Sequence, residues 1–291
     1  LKECRANFSP IFGLFSDPSG EVDAILYETM KDESFAVIEE NGIINKAWRL
    51  NDTKKLARIT EYFNDKKILI ADGHHRYETA LKYYKENRSK VDDSAHVMMF
   101  LTNLDAQSLA VYPIHRLIKS PAPFDEADFM NQVENYFSVG PISEGIEKNK
   151  IRKALDSADA GDIVFYVYFG QGRGCFIKIK EKTNMLPLLA TDESEELMVL
   201  DVAQLHTIIL KNILNIDTKE PNSQKYVTYK VDMIEALNRV DSGEFDLAFF
   251  MNATRVSDVR NLAEKGIRLP QKATFFYPKL LSGLVINKFD S

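Results

Sequence analysis

The chain has 291 residues, 45% of them hydrophobic and 27% charged, with 37 Lys and Arg against 43 Asp and Glu for a net charge of −6. That length and apolar content support a sizeable core in one or two domains and exclude an intrinsically disordered chain. The acidic balance argues against a general nucleic-acid binder, and no apolar run approaches the roughly 20 residues of a membrane span.

In chain order, Ile11 to Phe15 reads as a strand ending at the turn Ser16-Asp17-Pro18-Ser19-Gly20. Val22 to Tyr27 is predicted to resume as a strand, closing a hairpin with a long loop. Phe35 to Ile38 and Gly42 to Leu50 form a second hairpin across Asn41-Gly42. A helix follows Asn51-Asp52-Thr53, with Leu56, Ile59, Tyr62 and Phe63 on one face. Lys67 to Ala71 is a short buried strand that runs into Asp72-Gly73-His74-His75-Arg76. Tyr77, Ala80, Leu81 and Tyr84 then return at helical spacing, with Lys82, Lys85, Glu86 and Arg88 on a solvated face. Two further strands span His96 to Leu101 and Leu109 to Ile118.

Ser120-Pro121-Ala122-Pro123 is the best linker in the chain and sets an expected domain border, 1–120 and 121–291. Beyond it, helices are predicted over Phe129 to Phe137, Ile151 to Ser157, Leu200 to Leu214, Met233 to Val240 and Val256 to Lys265. Strands are predicted over Ile163 to Phe169, Cys175 to Ile179 and Phe245 to Phe250. The expected class is α/β, mixed α+β. Cys4 and Cys175 lie too far apart for a disulfide framework or a zinc pair and fit a reducing, cytoplasmic compartment.

The segment Asp72-Gly73-His74-His75-Arg76 concentrates the chemistry. Gly73 permits a sharp turn and close approach of a ligand. The first turn of the following helix offers unpaired amides and the positive end of the dipole to an anion. Arg76 matches a phosphate with two prongs, and Asp72 on the strand side could take a hydroxyl proton or hold a metal ion. Three alternatives stay open: phosphate or other anion binding, a purely structural cap, and a metal. The last is disfavoured because adjacent helical histidines diverge. Arg5 and Ser9 share one face of the first strand, and Arg116 follows His115 in another strand. Each is a candidate substrate contact, with strand polarity or a surface salt bridge as the plain alternative. Arg255 behind Thr254, Lys272 and Lys279, and the turn Gly170-Gln171-Gly172-Arg173-Gly174 are read as a cap, solvated lysines and a hairpin.

The stretch Lys67 to Leu81, KILIADGHHRYETAL, resembles the signature of the family called domain of unknown function 1015. Further likeness lies in Arg5 to Leu14, in Tyr112-Pro113-Ile114-His115-Arg116-Leu117, in Leu200-Asp201-Val202 with Leu205-His206, and in Leu269 to Leu280. The resemblance covers nearly the whole chain. The family normally begins earlier, with a Pro-Pro-Tyr-Asp stretch, so the chain, which starts at Leu1 without methionine, is expected to lack an N-terminal portion.

Gly73-His74-His75-Arg76-Tyr77 is also distantly similar to the phosphate-binding motifs of ParB-type proteins and sulfiredoxin, a fold shared by free-serine kinases. This implies a ParB/sulfiredoxin-like N-terminal part, with Gly73, His74, His75 and Arg76 holding nucleotide phosphates and Asp72 and His75 acting near the transferred group. It implies ADP or ATP with Mg²⁺ as cofactors, no protein-bound metal site, and a phosphotransferase acting on a small hydroxyl metabolite such as free L-serine. The kinases' upstream glutamate base would fall in the missing segment. The alternative is a non-catalytic nucleotide-binding switch. A homodimer is one expectation for assembly, with neither nucleic acid nor membrane as partner.

Overall fold

The computed structural model describes residues 1–40, 42–87, 95–106, 109–159, 161–180, 195–267, 269–270, 272–277 and 281–289. Asn41, Arg88, Gln271, Pro278, Lys279 and Leu280, singled out above, lie outside the described residues. The chain forms two compact units, Leu1–Ala110 with Phe276–Ser291, and Val111–Phe275.

The first unit begins with β1 (Ala6–Asn7) and β2 (Ile11–Phe15), then α1 (Glu21–Thr29), β3 (Ala36–Glu40), β4 (Ile43–Ala47), α2 (Thr53–Phe63), β5 (Leu69–Asp72), α3 (His74–Asn87) and β6 (Met99–Asn103). β2 is the middle strand of a sheet ordered β5-β2-β6, antiparallel to β5 and parallel to β6. Ile11, Leu14 and Phe15 are buried there. A Cβ on Gly13 would come within 2.7 Å of both Ile68 and Leu101, so only glycine lets the neighbouring side chains close over this strand.

The strand expected over Val22 to Tyr27 is a helix instead. Val22, Ile25 and Thr29 are its buried positions, a spacing of three and four that suits a helix and not a strand. Gly20 enters in the left-handed region at φ 67°, and the Asp17 carboxylate accepts the Val22 amide, so the turn chemistry starts a helix. α2 starts as expected, with Asp52 accepting the amides of Lys54 and Lys55.

The chain passes between the units at β7 (Ala110–Tyr112) and β14 (Phe275–Tyr277). The second unit adds β8 (His115–Ile118), α4 (Glu126–Val133), β9 (Phe137–Val139), α5 (Lys148–Asp156), β10 (Val164–Gly170) and β11 (Arg173–Ile179). It continues with α6 (Asp201–Gln204), β12 (Val227–Lys230), α7 (Met233–Asp241), β13 (Leu247–Phe250) and α8 (Val256–Glu264). β15 (Asn287–Lys288) pairs back with β1 in the first unit.

Six strands of the second unit form one antiparallel sheet, β12-β8-β13-β10-β11-β9. Its strands are apolar on both sides because helices cover both faces. Phe165 and Val167 pack with Phe129, Val133, Ile208 and Leu262 on one face. Tyr166 and Tyr168 pack with Ile151, Leu155, Ala236 and Val240 on the other. Mixed α/β architecture is therefore the fold class of both units.

The expected border at residue 120 follows linker chemistry, whereas the compact units divide at Ala110. β8 accounts for the difference: it pairs with β12 and β13 before the proline-rich stretch is reached. Pro113 splits the run expected over Leu109 to Ile118 into β7 and β8, since proline gives no ladder donor. The helix expected over Phe129 to Phe137 ends at Val133, and Phe137 begins β9. The amphipathic helix at 200–214 is α-helical only over α6 and continues as a π-helix over Leu205–Ile213. Among the described residues no helix is long and apolar enough to cross a membrane.

Candidate functional site

The order strand, glycine, helix puts Asp72 at the end of β5 and starts α3 at His74. Gly73 sits at φ 92°, where any other residue is strained. A Cβ there would also lie 2.9 Å from the Arg76 guanidinium, which folds back over the glycine. The positive φ is what calls for glycine at this position; the guanidinium is the far end of a flexible side chain and could shift from an added Cβ.

Arg76 ties the start of α3 to the loop between β1 and β2. Its Nη1 donates to Ser9 Oγ at 2.6 Å and to the Pro10 carbonyl at 2.5 Å. Its Nη2 donates to Asp72 Oδ2 at 3.2 Å. Ser9, Asp72, Gly73 and Arg76 thus converge at one helix end, half-buried to exposed. The Pro10 carbonyl is a partner that residue-type reasoning misses, because backbone acceptors leave no mark in a sequence. Beyond this cluster, His74 and His75 are exposed, and the side chain of His75 lies 3.5 Å from Glu78 with 96% of its surface in water. The positive end of α3 is therefore open to solvent, with two imidazoles beside it and a guanidinium behind it.

The other expected contacts are placed differently. Arg5 is exposed with φ 45°, and its carbonyl accepts the Phe289 amide, so its backbone serves the β1–β15 pairing. Ser9 reaches Arg76, whereas the Arg5 side chain makes no hydrogen bond to this cluster among the described residues. Arg116 lies in the second unit and is 1% exposed, which rules out the surface salt bridge considered for it. Its donors go to the carbonyls of Ile114 and Lys272 and to Met251 Sδ, and its Nε donates to His206 Nε2 at 3.4 Å. Burial pulls its pKa down to about 10. Because Arg116 donates to Nε2, a neutral His206 carries its proton on Nδ1, which then donates to Thr218 Oγ1 at 3.1 Å. Three segments noted in the sequence, around His115-Arg116, Leu205-His206 and Lys272, meet at this one guanidinium. They form an internal clasp, with the Tyr229 ring 5.5 Å away.

Thr254 Oγ1 donates to the Ala273 carbonyl, so it braces a loop instead of capping α8. The turn at Gly170 to Gly174 is the hairpin between β10 and β11, as expected. A second network escapes sequence reasoning. The Asn103 side chain binds the backbone of Asp17 and the carboxylate of Asp23 at the ends of β2 and β6. Burial opposes the Asp17 charge, yet bonds from Ser19 and the Val22 amide hold its carboxyl below the usual range.

Residues 1–203 match the family described as "Protein of unknown function (DUF1015)". The chain belongs to the DUF1015 family. No curated protein sequence matches it. Among solved structures, a conserved hypothetical protein from Pyrococcus furiosus is similar at 14% identity and a TM-score of 0.41, covering 94% of this chain and 77% of that one. A free serine kinase in complex with AMP is similar at 13% identity and 0.39, covering 94% and 90%. A mutant free serine kinase with AMP stands at 14% and 0.40, covering 94% and 87%. TM-scores near 0.4 establish neither a shared activity nor a shared ligand for this DUF1015 chain.

Proposed function

We propose that the start of α3 receives a nucleotide phosphate, and that the first unit transfers a phosphoryl group to a small hydroxyl metabolite, with free L-serine as the expected acceptor. The observation that carries this is the bare Gly73 under the Arg76 guanidinium at an open helix end. Amides, dipole and guanidinium there offer charge stabilisation without a covalent partner, which is what phosphoryl transfer demands of a protein. Gly73, His74, His75 and Arg76 would hold the phosphates. Asp72 stands beside them, within reach of a hydroxyl proton, and Ser9 orients the arginine. Among the described residues no group of three His, Cys, Asp or Glu side chains is arranged to hold a metal ion. Mg²⁺ in this proposal would arrive with the phosphates of ADP or ATP and would neutralise their charge.

One observation favours the non-catalytic reading. Arg76 and Asp72 are already bonded to each other, and Arg76 also to Ser9 and Pro10, so the cluster can serve as a rigid cradle whose occupancy alone is the signal. Calorimetric titration with ADP and ATP in Mg²⁺, followed by a phosphoserine assay, separates the two. Binding with product formation supports the kinase, and binding without product supports the switch. Absence of nucleotide binding, with the fold intact, overturns both. Arg76→Lys keeps the charge but not the two-pronged geometry, and the expected loss in nucleotide binding is about 1.5–3 kcal/mol, the range for charge-assisted hydrogen bonds.

A further inference from the structure

The five N–H donors of Arg76 are not equally committed. Both protons of Nη1 go to the loop between β1 and β2, at 2.6 Å from Ser9 Oγ and 2.5 Å from the Pro10 carbonyl. These short bonds tether the guanidinium to the protein. Nη2 donates to Asp72 Oδ2 at 3.2 Å, a longer bond between side chains that leave 38% and 64% of their surface in water. Among the described residues the Nε proton and the second Nη2 proton have no partner. Nε and Nη2 are also the guanidinium nitrogens nearest Gly73, each 2.9 Å from the place a Cβ would take. The open donors therefore stand over the bare glycine at the start of α3, and Asp72 sits beside them as the resident anion of Arg76.

A nucleotide phosphate entering there meets a guanidinium that already has a negative partner. If Asp72 stayed, Nη2 would hold one anion on each of its two protons. Two oxygen anions on one nitrogen lie roughly 5 Å apart. At that separation like charges repel at least as strongly as an exposed ion pair attracts. The contest is uneven. The phosphate carries more charge and reaches two guanidinium donors and the first amides of α3, whereas Asp72 has one long bond open to water. The Nη1 tether keeps the guanidinium in place while its partner changes, so the exchange needs only a rotation of the Asp72 side chain.

We propose that Asp72 is a displaceable counter-anion: a nucleotide phosphate takes Arg76 Nη2 and releases the Asp72 carboxylate. This rests on the phosphate site proposed at the start of α3 and adds its regulation. In the empty site Asp72 is engaged and the Arg76 charge is partly neutralised. In the loaded site Asp72 is free to accept a hydrogen bond from the acceptor hydroxyl. The hydroxyl metabolite therefore meets an available carboxylate only after nucleotide has bound.

Calorimetric titration of the full chain with ADP in Mg²⁺ tests this through a double-mutant cycle of Asp72→Ala and Arg76→Gln. If ADP displaces Asp72, part of the wild-type binding energy goes into breaking the pair. Asp72→Ala then gains more ADP affinity with Arg76 present than in the Arg76→Gln background, by about two- to fivefold, the strength of an exposed ion pair. Simple repulsion by Asp72 gives the reverse order, because a carboxylate without Arg76 beside it repels phosphate more. An equal or smaller gain with Arg76 present overturns the displacement and leaves the phosphate site standing. A wild-type chain that binds no ADP, or binds it away from α3, overturns both. Crystals grown with ADP and Mg²⁺ give the same answer without a variant. Asp72 Oδ2 is expected beyond hydrogen-bond reach of Nη2, and a pair retained at 3.2 Å beside bound phosphate overturns the proposal.

Discussion

Mild acid should unfold the second unit before the first. His115 is 1% exposed, its ring lies 4.8 Å from that of Phe250, and among the described residues its Nδ1 has no hydrogen-bond partner. Burial first, and the neighbouring Arg116 charge second, push its pKa from 6.5 down to about 3. Burial and Arg116 likewise hold His206 well below 6.5. Between those values the unfolded chain binds protons that the folded chain refuses. Stability is therefore complete above pH 6.5 and is lost as pH falls toward the folded values. For His115 the loss is about 1.4 kcal/mol per pH unit in that window, or about 2 kcal/mol at pH 5, against a typical domain stability of about 5–15 kcal/mol, and His206 acts in the same direction. The carboxyls of Asp17, Asp52 and Asp232 are all held below 3.8, so their stabilisation is fully present at both pH 5 and pH 7 and adds nothing to the difference between them. Urea unfolding at pH 7 and pH 5 measures the effect. Far-UV circular dichroism follows the whole chain, and Trp48, the single tryptophan, follows the first unit. His115→Leu should reduce the shift in midpoint between the two pH values, whatever it does to stability at pH 7. An equal shift in wild type and in His115→Leu, or a shift confined to the Trp48 signal, refutes the reasoning.

Arg116→Met keeps the volume but leaves the Ile114 and Lys272 carbonyls and His206 Nε2 without their donor, a cost of about 3 kcal/mol in the second unit by thermal melting. Gly73→Ala must adopt a positive φ and displace the tip of Arg76 from its seat over the glycine; the expected loss, set by the backbone, is about 1–3 kcal/mol, with faster amide exchange at the start of α3. Tyr168→Phe removes the 2.6 Å bond to Asp241 and the acceptor for the Gly172 amide. It should cost about 1.5–3 kcal/mol in chemical denaturation. A thiol reagent should label Cys4 quickly and Cys175 only on unfolding, since burial pushes the Cys175 thiol up to about 11.

The sequence by itself determined the features written in local chemistry. Asp52 as a cap, the hairpin of β3 and β4, the Gly170–Gly174 turn and the strand–Gly73–helix order each depend on a residue and its near neighbours, so they are legible in residue order alone. The mixed α/β class follows from the alternation of such elements. Tertiary structure decided what depends on distant partners. Val22 to Tyr27 has an apolar pattern that fits either period, and burial of Val22, Ile25 and Thr29 selects the helix. Arg76 is equally suited to face a ligand or the protein; Ser9 and the Pro10 carbonyl, more than sixty residues away, engage it. Arg116 has the residue type of a surface contact, yet its partners come from residues 114, 206, 251 and 272, brought together only by the folded second unit. Turn and cap energies are set within a few residues, whereas burial is set by whatever the rest of the chain packs against.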